Sequence, residues 1–491
     1  MASSSFFTSL SRKKNITRKK KSNINSRKKG KNLFRHHHKK TRRHLKLKLK
    51  LKNKGGDIAY YPLPGTATTP IMNPMPTENI ICSDAKVCLA FGNVTDEIKA
   101  FYNGFVNFDY VVSPIKRIGQ LSVNGFVFQI KYERDGYDSY AVLKSSQNPG
   151  SDNLMYEYAV GQYVNKLNKL YPCFLETYGL FQYKHDKYWN YFKDNKIINT
   201  STALIKGLVL QKAIDYNVAC EKSQYIAILI QNLSNPIPLH NLSTNKNFIN
   251  NELMFALFQL YIPLAKLMNN FTHYDLHLDN ILMYEPVRGK YIHYHYYLTT
   301  GSSPVIVSFK SSYMLKILDY GRCYFNDEIN DGIKSIDTKE IYDTEICTKP
   351  KCNPLPNNCG KNAGFGWMEN DAADPLSKFY ISSQHKNISH DLLPLLRIYQ
   401  NNSGKNANLL TKDLDDLITK LVYTEDFGTE EKLTMGYPDA INNVKDAAQF
   451  ITEYVQRRSY QRFNELMNKS KDKLGDLYIY LDDFPMNFVP A

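Results

Sequence analysis

Groups able to do chemistry crowd into one stretch, His273-Tyr274-Asp275-Leu276-His277-Leu278-Asp279-Asn280, which runs into the apolar Ile281-Leu282. Asp275 precedes Asn280 by five residues. An aspartate can orient or deprotonate an attacking hydroxyl, and a carboxamide oxygen can ligate a hard cation. That spacing suits a site holding a hydroxyl and a metal beside one phosphate. A second oxygen ligand is available downstream, where the apolar run Leu315-Lys316-Ile317-Leu318 ends in Asp319-Tyr320-Gly321. A cation for phosphate is available upstream, where Tyr140-Ala141-Val142-Leu143 closes on Lys144. A lysine closing a buried strand commonly just reaches solvent, but one that grips phosphate needs a carboxylate to fix its ammonium, and Glu157 in the helical pattern Asn153 to Val164, otherwise a surface glutamate, offers one.

These stretches resemble, in order, three signatures of the protein-kinase-like fold. Lys144 and the residues before it look like Val-Ala-Ile-Lys, His273 to Asn280 like His-x-Asp-Leu-x-x-x-Asn, and Asp319 to Gly321 like Asp-Phe-Gly with Tyr for Phe. The resemblance implies an α+β, two-lobed architecture with a small β-rich N-lobe and a larger, mainly helical C-lobe. It implies ATP and Mg²⁺ as cofactors. Asp275 would take or orient the acceptor proton, Asn280 and Asp319 would hold Mg²⁺, and Lys144 pinned by Glu157 would grip the nucleotide phosphates. Ile118-Gly119 and Gly125-Phe126-Val127 resemble the glycine-rich strand-turn-strand that lids a nucleotide, although the middle glycine is missing and Gln120 to Asn124 lengthen the turn. Gly119 and Gly125 would let backbone amides approach phosphate. Val127 and Val142 would flank the adenine, and backbone groups from Gln231 to Leu233 would hydrogen-bond it.

His277 departs from the protein-kinase pattern, which usually places Lys there. An imidazole is only partly charged near neutrality. Asp-Leu-His-x-x-Asn is also similar to small-molecule kinases of the aminoglycoside and choline type. The wording Tyr156 to Gly161, Pro172 to Gly179 and His273 to His277 resembles the serine/threonine-protein kinases described for giant, mimivirus-type DNA viruses, over roughly residues 110–400. The leading expectation is therefore transfer of the γ-phosphate of Mg-ATP to a Ser or Thr hydroxyl of a protein substrate. A small-molecule acceptor, or a pseudokinase scaffold bound to nucleic acid or virion, are the alternatives.

The elements that must position these groups can be read around them. Residues 250–272 carry Leu253, Leu257, Leu260, Leu264 and Leu267 among other apolar residues, predicting a helix apolar nearly all round that delivers the catalytic stretch from its C-terminal end. Tyr225 to Leu233 predicts a buried strand leading to a hinge. Residues 111–233 form the expected N-lobe, with an insertion within 171–224, and residues 234–491 the C-lobe. Tyr284 to Met314 predict an expanded hairpin in which His293 and His295 decorate the surface. Asp391 resembles the buried aspartate that anchors the catalytic loop, and equally a helix N-cap. Beyond it the chain reads as amphipathic helix, including Leu409 to Val422 and Val444 to Met467.

The formal charge of +16 is concentrated at one end. Residues 1–54 hold 21 Lys/Arg and no acid, leaving 42 Lys/Arg against 47 acids in the remainder, which is mildly acidic. Residues 1–56 predict a disordered polybasic tail, and 57–110 a linker with an N-terminal extension. Residues 12–54 suit nonspecific contact with nucleic acid or another anionic surface; a solvated tail without a partner has the same composition. A hydrophobic content of 43 % supports a substantial core in the body. No run reaches the roughly 18 apolar residues of a membrane span, so a soluble intracellular protein without a transmembrane segment is expected. The eight scattered cysteines fit reduced thiols.

Overall fold

The computed structural model describes residues 91–92, 94–119, 125–147, 149, 153–211, 224–300, 303–327, 386–402, 410–421, 440–468, 472–481 and 484–491. The expectations for the basic tail and for the turn Gln120 to Asn124 fall outside them.

A short helix α1 (Val94–Phe101) leads into the strands β1 (Val111–Ile118), β2 (Gly125–Arg134) and β3 (Tyr137–Ser146). Helix α2 (Asn153–Asn168) follows, then β4 (Thr177–Tyr183). Between β4 and its neighbour β7 (Ile226–Gln231) the chain makes α3 (Asp186–Asp194), β5 (Ile197–Ile198), α4 (Thr202–Gly207) and β6 (Leu208–Gln211). This is the insertion expected within 171–224. It supplies both edges of a seven-stranded sheet of order β5-β1-β2-β3-β7-β4-β6.

Strict alternation decides which side of this sheet is dry. Phe126, Phe128, Ile130 and Tyr132 of β2 are fully buried with Trp189, Phe192 and Leu204 from the insertion. Cross-strand partners share a face, so Val127 and its partner Lys144, and Gln129 and its partner Val142, point the other way, toward α2.

The rest of the chain is organised around α7 (Leu253–Lys266), reached through β8 (Ile237–Pro238), α5 (Leu239–Leu242) and α6 (Lys246–Asn251). Every residue of α7 from Leu253 to Leu264 is buried, as its all-round apolar sequence requires. It is followed by β9 (Phe271–Thr272), β10 (Ile281–Tyr284), β11 (Lys290–Thr300), β12 (Ser303–Ser311), β13 (Met314–Ile317) and β14 (Tyr324–Phe325). After Ser389 come α8 (Leu393–Asn402), α9 (Lys412–Thr419) and the long α10 (Val444–Asn468), which packs on α7 and β12. Strands β10 and β13 pair as one antiparallel ladder, and β11 with β12 forms a second hairpin between them, so the expanded hairpin is present.

The expectation of helix to the end of the chain is corrected. Residues Asp472–Tyr480 form β15 and Asn487–Pro490 form β16, completing a four-stranded sheet of order β12-β11-β15-β16. Alternating Leu477 and Ile479 in β15 are buried in the core with Tyr294 and Tyr296 of β11, a period-two signal that is easily lost behind a long helix. Among the described residues no helix is long and apolar enough to cross a membrane, and Cys173 and Cys323 are buried free thiols.

Candidate active site

The ladder of β10 with β13 places two side-chain oxygen donors at one end of one hairpin. Ile281 is registered with Ile317, so Asn280 and Asp319 sit at adjoining strand ends, and Leu318 N–H donates to the Asn280 carbonyl at 3.1 Å. The Asn280 side chain donates to the Asp275 carbonyl at 2.9 Å. This bond holds the carboxamide through its nitrogen. Three further main-chain bonds coil the loop: Asp275 N–H to His273 carbonyl, His277 N–H to Asp275 carbonyl and Asn280 N–H to His277 carbonyl, at 2.8, 2.8 and 2.9 Å.

The loop is held from beneath. Asp391, 2 % exposed, accepts from the backbone N–H of His273 at 2.7 Å and of Tyr274 at 3.1 Å. Tyr274 has φ of 62° and Asp319 φ of 67°, both in the left-handed region that non-glycine residues seldom adopt. His273 is wholly buried, its Nε2 lies 3.1 Å from the Leu318 carbonyl, and burial pushes its pKa down to about 4. At neutral pH this ring is therefore a neutral tether between the loop and the segment bearing Asp319.

Lys144 arrives from β3. Its Nζ donates to both Glu157 oxygens, at 2.8 and 2.7 Å, and lies 3.1 Å from Asp319 Oδ1. Burial works against its charge, but Asp319 and Glu157 outweigh it and hold the ammonium above its usual pKa. Burial likewise opposes ionisation of Asp319, and Lys144 overcomes it to give a net lowering. Glu157 is pushed by burial up to about 7, with Lys144 acting in the opposite direction. One cation thus faces two carboxylates, an arrangement that accepts further positive charge from a divalent ion. The donors Asn280 and Asp319 are hard oxygens and fit Mg²⁺.

Asp275 and His277 lie on the open side, with side chains 25 % and 41 % exposed and His277 Nε2 3.9 Å from Asp275 Oδ1. A group that sequence reasoning missed stands opposite: Arg322 Nε is 3.6 Å from Asp275 Oδ2. The available signal was a permanent cation directly after Asp319-Tyr320-Gly321.

The residues expected around the nucleotide divide. Val127 and Val142 share the Lys144 face of the sheet. Gly119 has φ of 71°, which only glycine adopts freely. Gly125 has a structural duty in addition to any at phosphate, because a Cβ there would lie 2.1 Å from the Ser145 carbonyl oxygen of β3. At the end of β7 the Gln231 N–H is already bonded to the Glu176 carbonyl at 2.8 Å and Asn232 accepts from Gln129 at 2.9 Å, while Leu233 packs against the core. The Gln231 N–H is therefore not available to a base.

His295 corrects the surface expectation, while His293 stays partly exposed. His295 is 7 % exposed and both rings meet Asp476 of β15. The residues brought together are thus Lys144, Glu157, Asp319, Asn280, Asp275 and His277, drawn from four separate elements or loops.

No family model and no curated protein matches this chain. Among solved structures, a crystal structure of a kinase domain is 12 % identical, with a TM-score of 0.25 over 46 % of this chain. The match spans 55 % of that structure's own length. The geometry of the site itself carries the functional reading.

Proposed function

We propose that the chain is an ATP-dependent phosphotransferase of two-lobed, protein-kinase-like architecture, acting on a Ser or Thr hydroxyl of a protein. The observation that carries this is the convergence of Lys144, Glu157 and Asp319, distant in sequence, beside the loop that bears Asp275 and Asn280. Phosphoryl transfer asks for positioning and charge neutralisation more than for covalent work by the protein. Mg²⁺ bound at Asn280 and Asp319 would neutralise phosphate charge. Lys144, fixed by Glu157, binds the nucleotide's phosphate oxygens from the sheet side. Asp275 orients the acceptor hydroxyl and receives its proton, and Arg322 and Asn280 hold Asp275 in place through its carboxylate and its carbonyl.

A second reading, with a small-molecule acceptor, is favoured by His277. This half-exposed imidazole beside Asp275 stands where a protein kinase presents a permanent cation. The polybasic residues 12–54 are proposed to contact polyanions without sequence preference.

Transfer of labelled phosphate from Mg-ATP onto protein tests the reading, with Asp275→Ala and Asp319→Ala as controls. Label that falls at least about 100-fold in Asp275→Ala supports catalysis by that carboxylate. Label appearing only on added aminoglycosides, choline or similar alcohols selects the second reading. ATP binding with no turnover onto any acceptor or water overturns the phosphotransferase.

A further inference from the structure

The outer face of the extra sheet carries a second cluster of metal-ligating groups. On β11, His293 and His295 are two residues apart and so share a face. On the adjacent parallel strand β15, Asp476 is registered with His293. Both rings converge on one carboxylate oxygen: His295 Nε2 is 2.9 Å and His293 Nδ1 3.3 Å from Asp476 Oδ1. One ligand atom from each of the three lies within 4.8 Å of the others. Around a tetrahedral ion with bonds of about 2.0 Å, ligand atoms sit about 3.3 Å apart, so the three are close to a coordinating arrangement without any strand moving.

The surroundings are those of a held ligand set. His295 Nδ1 lies 2.9 Å from Ser308 Oγ of β12, so a hydroxyl can fix the ring's tautomer and orientation. The second oxygen of Asp476 accepts from Lys473 at 2.5 Å, which leaves Oδ1 toward the rings. The His295 ring also stacks on Tyr478, with centroids 4.8 Å apart. Lys473 and Lys310 face the cluster and oppose added positive charge. Against that stands a hydrogen-bonding account in which the His295 Nε2–H simply donates to Asp476; it leaves the His293 nitrogen directed at the same oxygen as a weaker second donor.

We propose that His293, His295 and Asp476 bind a divalent transition-metal ion, zinc being the chemical match for two imidazoles and a carboxylate with a fourth position open to water. The ion would clamp β11 to a strand 181 residues away in sequence. This site is independent of the phosphotransfer reading.

The test uses the full-length chain with its competing ligands removed: His36→Ala, His37→Ala, His38→Ala, His44→Ala, Cys347→Ser, Cys352→Ser and Cys359→Ser. Excess Mg²⁺ occupies hard-oxygen sites while Zn²⁺ is titrated by calorimetry, and Co²⁺ is added separately to read ligand-field absorption. The expected result is one Zn²⁺ per chain, abolished by His295→Gln and by His293→Gln, the latter at a partly exposed position where the fold should persist by circular dichroism. Ser308→Ala should weaken binding by roughly 10- to 100-fold while keeping all three ligands. No Zn²⁺ uptake in the parent chain, or uptake unchanged in folded His293→Gln, overturns the site and leaves the cluster a hydrogen-bonded pair.

Discussion

Lys144 determines the state of Glu157 as well as supplying the charge that the proposed function assigns to phosphate. Glu157 is 4 % exposed and its oxygens both accept from Lys144, so removing the ammonium strands a buried carboxylate. Breaking such a pair typically costs about 3–5 kcal/mol when the charge persists. Glu157 has an escape, since burial already places its pKa at about 7 and loss of Lys144 removes the leading opposing influence. In Lys144→Met the carboxyl should therefore be protonated at and above neutral pH. A carboxyl whose folded pKa lies above its unfolded value contributes stability below the unfolded pKa and loses it as pH rises through the folded one. Urea denaturation should thus show the deficit of Lys144→Met widening from pH 7 upward, on top of the loss of the Lys144–Asp319 pair that is already present at pH 6. The double variant Lys144→Met/Glu157→Gln should flatten that slope; a deficit independent of pH in the single variant would refute the coupling. Lys144 and Asp319 were legible in sequence because each ends an apolar run. Arg322 was not, because nothing local says that a cation one residue past a glycine turns back onto Asp275.

At the scale of elements, the loop that bears Asp275 depends on a segment more than a hundred residues downstream. Two backbone N–H groups of the loop end on Asp391, and one belongs to Tyr274, which is held at positive φ. In Asp391→Ala both donors lose their acceptor inside the protein, at about 1–3 kcal/mol each, and the left-handed turn loses its anchor. A stability loss of about 2–5 kcal/mol is expected, together with faster amide exchange at residues 273–277 and a fall in phosphotransfer as Asp275 loses its position. Asp391→Asn keeps one acceptor oxygen and should fall between. Unchanged exchange in the loop would show that β9 and β10 hold it unaided. Most elements near the site were legible: α7 from its all-round apolar run, β7 from its branched core, the β10 to β13 ladder from the apolar stretches on either side of the expansion. The terminal sheet was not, because β15 pairs parallel with a strand far back in the chain and its two-residue alternation has no local partner to announce it. The same non-local pairing hid the His293, His295 and Asp476 cluster, whose members look like surface residues until the strands are side by side.

At the scale of the whole described body, the C-terminal strands join parts that sequence reasoning kept separate. Leu474, Leu477, Ile479 and Met486 bury their side chains in the same core as α7 and α10. Met486 N–H donates to the Lys169 carbonyl at 2.9 Å just beyond α2, the helix that carries Glu157, and the Phe488 ring lies 4.8 Å from that of Phe91. Each large buried side chain contributes about 1.5–3 kcal/mol, so ending the chain at Asn468 forfeits on the order of 6–12 kcal/mol, comparable with the whole stability of a domain. It also uncovers the edge of β11 for pairing with other chains. The truncated protein should aggregate or resist refolding from urea. A milder probe is Gly475→Ala, where the new methyl would meet the Val489 carbonyl oxygen at 2.4 Å and the Phe488 ring at 2.6 Å. It should push β16 away and lower the urea midpoint, yet leave the pairing of β15 with β11 and the affinity for ATP intact. If ATP affinity falls while the midpoint holds, the terminal strands act on the site through α2; if the midpoint alone falls, they secure the fold on which that site is built.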